Sequence, residues 1–243
     1  MDFKLPTETV ELPSKGMLYP EGHPLSSGTI EMKYMTAKEE DILTNQNYIR
    51  QGVVIDKLLQ SLIVTDVDYN DILIGDKNAI MLAARILSYG KDYEFTYGGS
   101  NHTADLSAFD AKSLDESKYT KGVNEFEFTL PTSGVLLTFK LLTHKDERAI
   151  ESEVKGLQKI NKDNITEATT RLKHMITSVN GSTESQDIRK FVDNAFLAKD
   201  ARAFRQYYTE LEPNVDFNTT ILVNGVEEDV DLPITLNFFW PES

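Results

Sequence analysis

Along this chain, short stretches of period-two alternation keep giving way to longer ones in which apolar residues recur every three or four positions. The sharpest changeover runs from Gly28 to Leu43, GTIEMKYMT followed by AKEEDIL. Ile30 and Met32 alternate with polar neighbours as a half-buried strand does, and Ile42 and Leu43 then open a helical face. Between them Thr36 stands three residues before Glu39, the spacing at which a hydroxyl accepts a first-turn N–H while the acid reaches back to the cap. The changeover recurs from Gly134 to Ile150, GVLLTFKLLT followed by HKDERAI, with Thr143 three residues before Asp146. A shift of 107 positions superposes Lys33 on Lys140, Thr36 on Thr143, Lys38 on Lys145 and Glu40 on Glu147. One strand-to-helix unit is therefore read as used twice.

The first unit predicts a helix from the Thr36 cap to Gly52, with Glu39, Glu40 and Asp41 at its positive end. A second carries Val54, Ile55, Leu58, Leu59, Leu62 and Ile63 on one stripe. A third runs from an Asp76 cap through Ala79, Ile80, Ala83, Ala84 and Leu87 to Gly90. Tyr93, Phe95 and Tyr97 then alternate toward a turn at Gly98 and Gly99, and residues 101 to 124 read as a flexible insertion or boundary. Strand alternation resumes at Phe126, Phe128 and Leu130. After the Thr143 cap the periodicity predicts helices over 144 to 160, over Leu172, Met175, Ile176 and Val179, over 188 to 195, and from Asp200 to Leu211. A shift of 124 sets Asp76 on Asp200, Ile80 on Phe204 and Leu87 on Leu211. The larger shift means the second unit has gained about 17 residues, the size of an added helix. Val215, Phe217, Thr219 and Ile221 then alternate toward Asn224-Gly225, a strong hairpin signal, and Val226 to Leu232 returns.

The predicted fold class is α+β, with two related halves, each a strand leading into a capped helical cluster followed by a β-hairpin. The expected divisions are an extended arm over residues 1 to 27, a first half over 28 to 124 and a second over 125 to 243. Pro6, Pro13, Pro20 and Pro24 keep the arm out of a helix. It either lies over its own domain or docks on a neighbouring subunit. The chain ends on Leu236-Asn-Phe-Phe-Trp240, which either packs on the sheet or anchors a partner. The candidate partner-binding residues are Leu12, Met17 and Tyr19 in the arm and Phe238, Phe239 and Trp240 at the end.

Charge and chemistry narrow the function. Acids outnumber bases 39 to 25, and a net charge of −14 repels phosphate backbones and anionic membranes, so neither nucleic acid nor membrane is an expected partner. No cysteine is present, which removes thiolate nucleophiles, disulfides and Cys-ligated zinc. The charged N-terminus is unlike a signal peptide, and Asp76, Lys77 and Arg85 interrupt the most apolar run, so a soluble protein of a reducing cytoplasm is expected. The loop Asp66 to Asp71 resembles a calcium loop but carries Asp71 at position six instead of Gly and Lys77 at position twelve instead of Glu. The histidines at 23, 102, 144 and 174 show no metal-ligand spacing, and His144 reads as a surface residue at a helix start. No hydrolase elbow, dinucleotide fingerprint or phosphate loop occurs, so no catalytic, cofactor or metal residue is assigned.

The segments LPSKG at Leu12 to Gly16, YMTAKEEDIL at Tyr34 to Leu43 and LLQSLI at Leu58 to Ile63 resemble the baseplate hub and hub-assembly proteins of T-even-type contractile-tailed bacteriophages. The likeness continues more faintly through IGDKNAIMLAARILSYGKDYEF. What the resemblance implies is a non-enzymatic hub subunit or chaperone-like assembly factor, working in the host bacterial cytoplasm or in the virion tail baseplate, with other hub proteins as partners. It also implies a small β module near Tyr97 to Asn101, Cys-bearing in some relatives and without Cys here. The alternative is a tail-associated hydrolase, such as a cell-wall glycosidase, using two dispersed carboxylates.

Overall fold

The structure is a computed structural model that describes residues 5–160, 166–223, 225–232 and 236–239. Strand β1 (Thr7–Glu11) comes from the arm and pairs antiparallel with β2 (Thr29–Lys33), Thr7 opposite Lys33 and Glu11 opposite Thr29. The connection between them folds back on itself, with the Leu12 N–H on the Gly28 carbonyl at 2.8 Å. Leu12, Leu18, Tyr19 and Leu25 are buried, so this stretch lies over its own domain. Gly16 permits the fold-back: its φ is +71°, and a Cβ there would sit 2.5 Å from the Ser26 carbonyl oxygen.

From β2 the chain enters α1 (Ala37–Leu43), α2 (Gln46–Gln51) and α3 (Val54–Leu62). The single helix expected from Thr36 to Gly52 is thus two. Asn45 interrupts it, its side chain accepting the Asn47 and Tyr48 N–H groups at 3.0 and 3.3 Å and so starting α2, which Gly52 closes at φ 69°. After α3, Ile63 bridges back to Met32 of β2. A 3-10 turn at Tyr69–Asp71 leads into α4 (Ile74–Tyr89), and β3 (Asp92–Tyr97) and β4 (Ser100–Asp105) form a hairpin through Gly98 and Gly99. β4 occupies the start of the segment expected to be irregular.

The second half repeats this order. β5 (Phe126–Thr129) pairs with β6 (Leu136–Phe139), which feeds α5 (His144–Ile160) and α6 (Glu167–Met175). β7 (Ile176–Val179) then joins β6, Ile176 opposite Phe139, as Ile63 joins Met32 in the first half. Ile176 to Val179 was expected to continue a helix. Leu172, Met175, Ile176 and Val179 fit a helical stripe, but the β-branched run ITSV alternates buried and half-buried and completes the sheet instead. α7 (Ser185–Asn194) is the added helix, standing where the first half has the 3-10 turn. α8 (Ala198–Leu211) answers α4, and β8 (Asn218–Val223) with β9 (Val226–Asp231) answers the first hairpin. Val223 opposite Val226 reproduces Tyr97 opposite Ser100. Asn224 of the expected turn lies outside the described residues. A final 3-10 turn spans Leu236–Phe239.

A central seam joins the halves. Leu73 and Thr143 bridge antiparallel, the Ile74 N–H donates to the Leu142 carbonyl at 3.0 Å, and the His144 N–H donates to the Ile72 carbonyl at 2.8 Å. Gly75 lies so close to residue 213 that a Cβ would sit 1.6 Å from the Pro213 carbonyl oxygen. A continuous apolar core runs through both halves, from Leu12 and Met32 to Phe139, Phe204, Phe238 and Phe239.

Candidate protein-interaction site

Two buried aspartates organise the interior. Asp76, expected to cap α4, lies inside its first turn and is fully buried. It accepts the Ser14 N–H at 2.9 Å, the Ser14 hydroxyl at 2.7 Å and the Tyr19 hydroxyl at 2.8 Å, which pins the LPSKG loop to the helix start. The Leu73 N–H, an orphan donor at that helix start, donates to the Tyr19 hydroxyl at 3.0 Å. Asp200 holds the same place in α8 and accepts the Thr132 and Ser133 N–H groups at 2.7 and 3.0 Å. Its loop, Leu130-Pro-Thr-Ser-Gly134, is a second version of Leu12-Pro-Ser-Lys-Gly16. The two carboxyls differ in charge preference. Burial pushes Asp76 above the usual carboxylate range against the pull of Ser14 and Tyr19. Burial also pushes Asp200 upward, but the Ser133 and Thr132 donors outweigh it and hold that carboxyl below its usual range.

The paired helix starts are equally closed. Thr36 donates its N–H and hydroxyl to Glu39 at 3.0 and 2.5 Å, and Glu39 also accepts from Lys33 at 2.9 Å and Ser61 at 2.8 Å. Although burial opposes ionisation, the hydrogen bonds from Thr36, Lys33 and Ser61 bring Glu39 down to about 2. In the second half Thr143 donates its N–H and hydroxyl to Asp146, both at 3.0 Å, and Lys140 reaches the same carboxylate at 2.7 Å. These acids staple strand to helix.

His144, expected on the surface, is buried at the seam. Its ring packs edge-on against Tyr69 at 4.6 Å, with Asp56 at 3.6 Å from Nε2 and Lys77 at 3.3 Å from Nδ1. Lys77 bonds Asp56 at 2.7 Å, and the Tyr69 hydroxyl donates to Asp56 at 3.1 Å. Burial first and Lys77 second pull the His144 pKa below its usual value, so the ring is neutral at neutral pH. An Asp, a Lys, a His and a Tyr in one cluster invite a catalytic reading. Each is committed to the others across four elements of both halves, and they lock the seam together.

The candidate partner residues divide by location. Leu12, Tyr19, Phe238 and Phe239 are buried in the chain's own core, Met17 is half-buried on the arm loop, and Trp240 lies outside the described residues. Phe238 packs edge-on against Tyr93 at 5.1 Å, and its carbonyl accepts the Arg85 Nε–H at 2.9 Å, which ties the C-terminal turn to the first half. Among the described residues, Leu12, Met17, Tyr19, Phe238 and Phe239 do not form one exposed patch. The open surface lies elsewhere. The outer face of α8 carries Arg202, Arg205, Gln206, Thr209 and Glu210 around a shallow depression of about 480 Å³. A second groove, of about 520 Å³, runs along residues 63–70, with Val64 exposed beside Asp66 and Asp68. Asp68 accepts the Asn70 N–H in this groove, so the former calcium-loop candidate is a capped turn. Among the described residues no three His, Cys, Asp or Glu side chains gather as metal ligands, and no helix is long and apolar enough to cross a membrane.

A family model described as T4 bacteriophage base plate protein matches residues 6–240. The chain belongs to that family. Membership gives this base plate protein a structural place in the phage tail baseplate and other baseplate proteins as neighbours. No curated protein and no solved structure matches it. The segments that carried the sequence resemblance are structural in this base plate protein: LPSKG is the loop held by Asp76, and MTAKEED is the Thr36 staple. Sequence reasoning missed the second loop, LPTSG. The signal was present as Leu12-Pro13 against Leu130-Pro131, but the two connections differ in length and a single fixed shift hides it.

Proposed function

We propose that this base plate protein is a non-enzymatic component or chaperone-like assembly factor of the central hub, acting through contacts with other hub polypeptides. The family match over residues 6–240 carries the reading. The interior supports it: Glu39, Asp76, Asp146 and Asp200 are occupied by internal donors that build the fold, which leaves them unsuited to move protons on a substrate. The acidic charge of −14 keeps the protein soluble in the host cytoplasm during assembly, disfavours nucleic acid and anionic membrane, and steers it toward basic patches on hub partners. Partner contacts fall at Met17 on the arm loop, flanked in sequence by the buried Leu12 and Tyr19, and at Trp240, which follows the buried Phe238 and Phe239 in the chain.

A tagged chain expressed in infected cells tests this. Hub proteins are expected to co-purify with it, and Met17→Asp or Trp240→Ala to reduce their recovery several-fold without lowering the melting temperature. Mass spectrometry of purified particles beside infected-cell lysate separates a resident subunit, found in both, from an assembly factor found only in lysate. Recovery without any hub protein, or release of sugar from purified cell wall by the pure protein, overturns the proposal.

A further inference from the structure

The seam between the halves joins unlike edges. The α4 entrance of the first half, Ile72 to Ile74, meets the strand-to-helix junction of the second half, Leu142 to His144. Each half carries both kinds of edge, so a head-to-tail joint leaves one of each unused. The repeat identifies them. Phe196, Leu197 and Ala198 at the start of α8 stand where Ile72, Leu73 and Ile74 stand in α4. Met35, Thr36 and Ala37 stand where Leu142, Thr143 and His144 stand. Leu73 is 4% exposed in the seam, whereas Leu197 is 47% exposed, and Ala198 and Ala37 are exposed as well. Among the described residues neither free edge makes the bridge or the paired backbone bonds that its counterpart makes.

From this we propose that a second copy of this chain docks head to tail, its Met35–Ala37 edge on this chain's Phe196–Ala198 edge, repeating the internal seam between molecules. The two backbone bonds become Ala198 N–H to the Met35 carbonyl and Ala37 N–H to the Phe196 carbonyl, and Leu197 is covered as Leu73 is. Only the backbone pairing is repeated, not the close approach beside it: Lys199 stands where Gly75 meets the Pro213 carbonyl, so residue 89 of the incoming copy must stand farther off than residue 213 does, and Ala37 stands where His144 locks the polar cluster. A heterologous joint of this kind closes into a ring or runs on as a filament, according to its rotation. It is independent of the hub role: a chain that stays monomeric removes this proposal and leaves that one standing.

The chain has no cysteine, so disulfide trapping reads the joint directly. Bridged residues in an antiparallel pair have Cα atoms about 4.5–5.5 Å apart, within disulfide reach. Leu197→Cys and Thr36→Cys proteins, mixed under mild oxidation at about 0.15 M salt to screen the like net charges, are expected to give a covalent one-to-one dimer. Either variant alone gives none, and the double variant gives a ladder of oligomers. Leu73→Cys with Thr143→Cys in one chain, closing within the monomer with loss of two hydrogens and no dimer, checks the seam geometry. Because Thr36→Cys alters a helix start, sedimentation is run in parallel: the unaltered protein associates with rising concentration, and Leu197→Asp, at an exposed site, abolishes this while melting as before. Absence of cross-linking in the mixture together with monomeric sedimentation overturns the proposal. So does cross-linking by Leu197→Cys alone, which marks a two-fold contact.

Discussion

At Gly75 the architecture depends on one missing methyl group. The residue sits in the first turn of α4 with the Pro213 carbonyl directly over it, and a Cβ would approach that oxygen to 1.6 Å. No rotamer relieves a clash between two backbones. Gly75→Ala is therefore expected to destabilise the protein by about 3 kcal/mol, the upper end for an overpacked site, read as a lower urea midpoint. Nothing near this glycine in the sequence marks it out, because its reason lies 138 residues away. His144 misled in the same way. A histidine at the first position of a helix is ordinarily solvated, and only the fold brings Tyr69, Asp56 and Lys77 around it. Asp76 and Asp200 were singled out by the repeat, but their role was not: short acids at helix starts read as caps, whereas these two reach sideways to hold a loop.

At the scale of elements, the strand-to-helix staple was the feature most open to a reader of the sequence. Its Lys, Thr and acid keep fixed spacing in both copies, and the structure joins them within hydrogen-bond distance each time. The staple makes a pH prediction. Glu39 is held at about 2 against an ordinary 4.5, so its contribution is complete above pH 4.5 and is lost as pH falls toward 2. Glu39→Gln is expected to lower the melting temperature at neutral pH and to flatten the curve through that acid window, as followed by circular dichroism. What stayed hidden at this scale was local competition between periods. Ile176 to Val179 fits a helical stripe and a strand alike, and the choice is made by the free edge of β6, a long-range fact. Asn45 split a helix that its apolar pattern ran straight through, by offering its own side chain to the backbone.

For the whole molecule, the two-half plan was legible from the changeovers in period. The way the halves join was not, since backbone pairing between Leu73 and Thr143 leaves no mark on either stretch. The seam should respond to acid. His144 has its pKa lowered by burial and by Lys77, so the stability it supports is complete above its ordinary 6.5 and drains as pH falls below that value. Hydrogen-exchange protection of the Ile74 and His144 amides is expected to drop together over this range, and His144→Gln to remove that part of the drop. Charging the ring sets it against Lys77 at 3.3 Å.

The seam also bears on how the protein is made. The Asp76 clamp can close as soon as α4 leaves the ribosome, because Ser14 and Tyr19 have long since emerged. The α4 entrance cannot, because Leu142 and His144 are still to be translated. At about 5–20 residues per second, the nascent first half waits roughly 4–14 s with that edge bare. On a crowded polysome a finished neighbour can fill it first, so exchange of halves between sister chains is a hazard written into the order of synthesis.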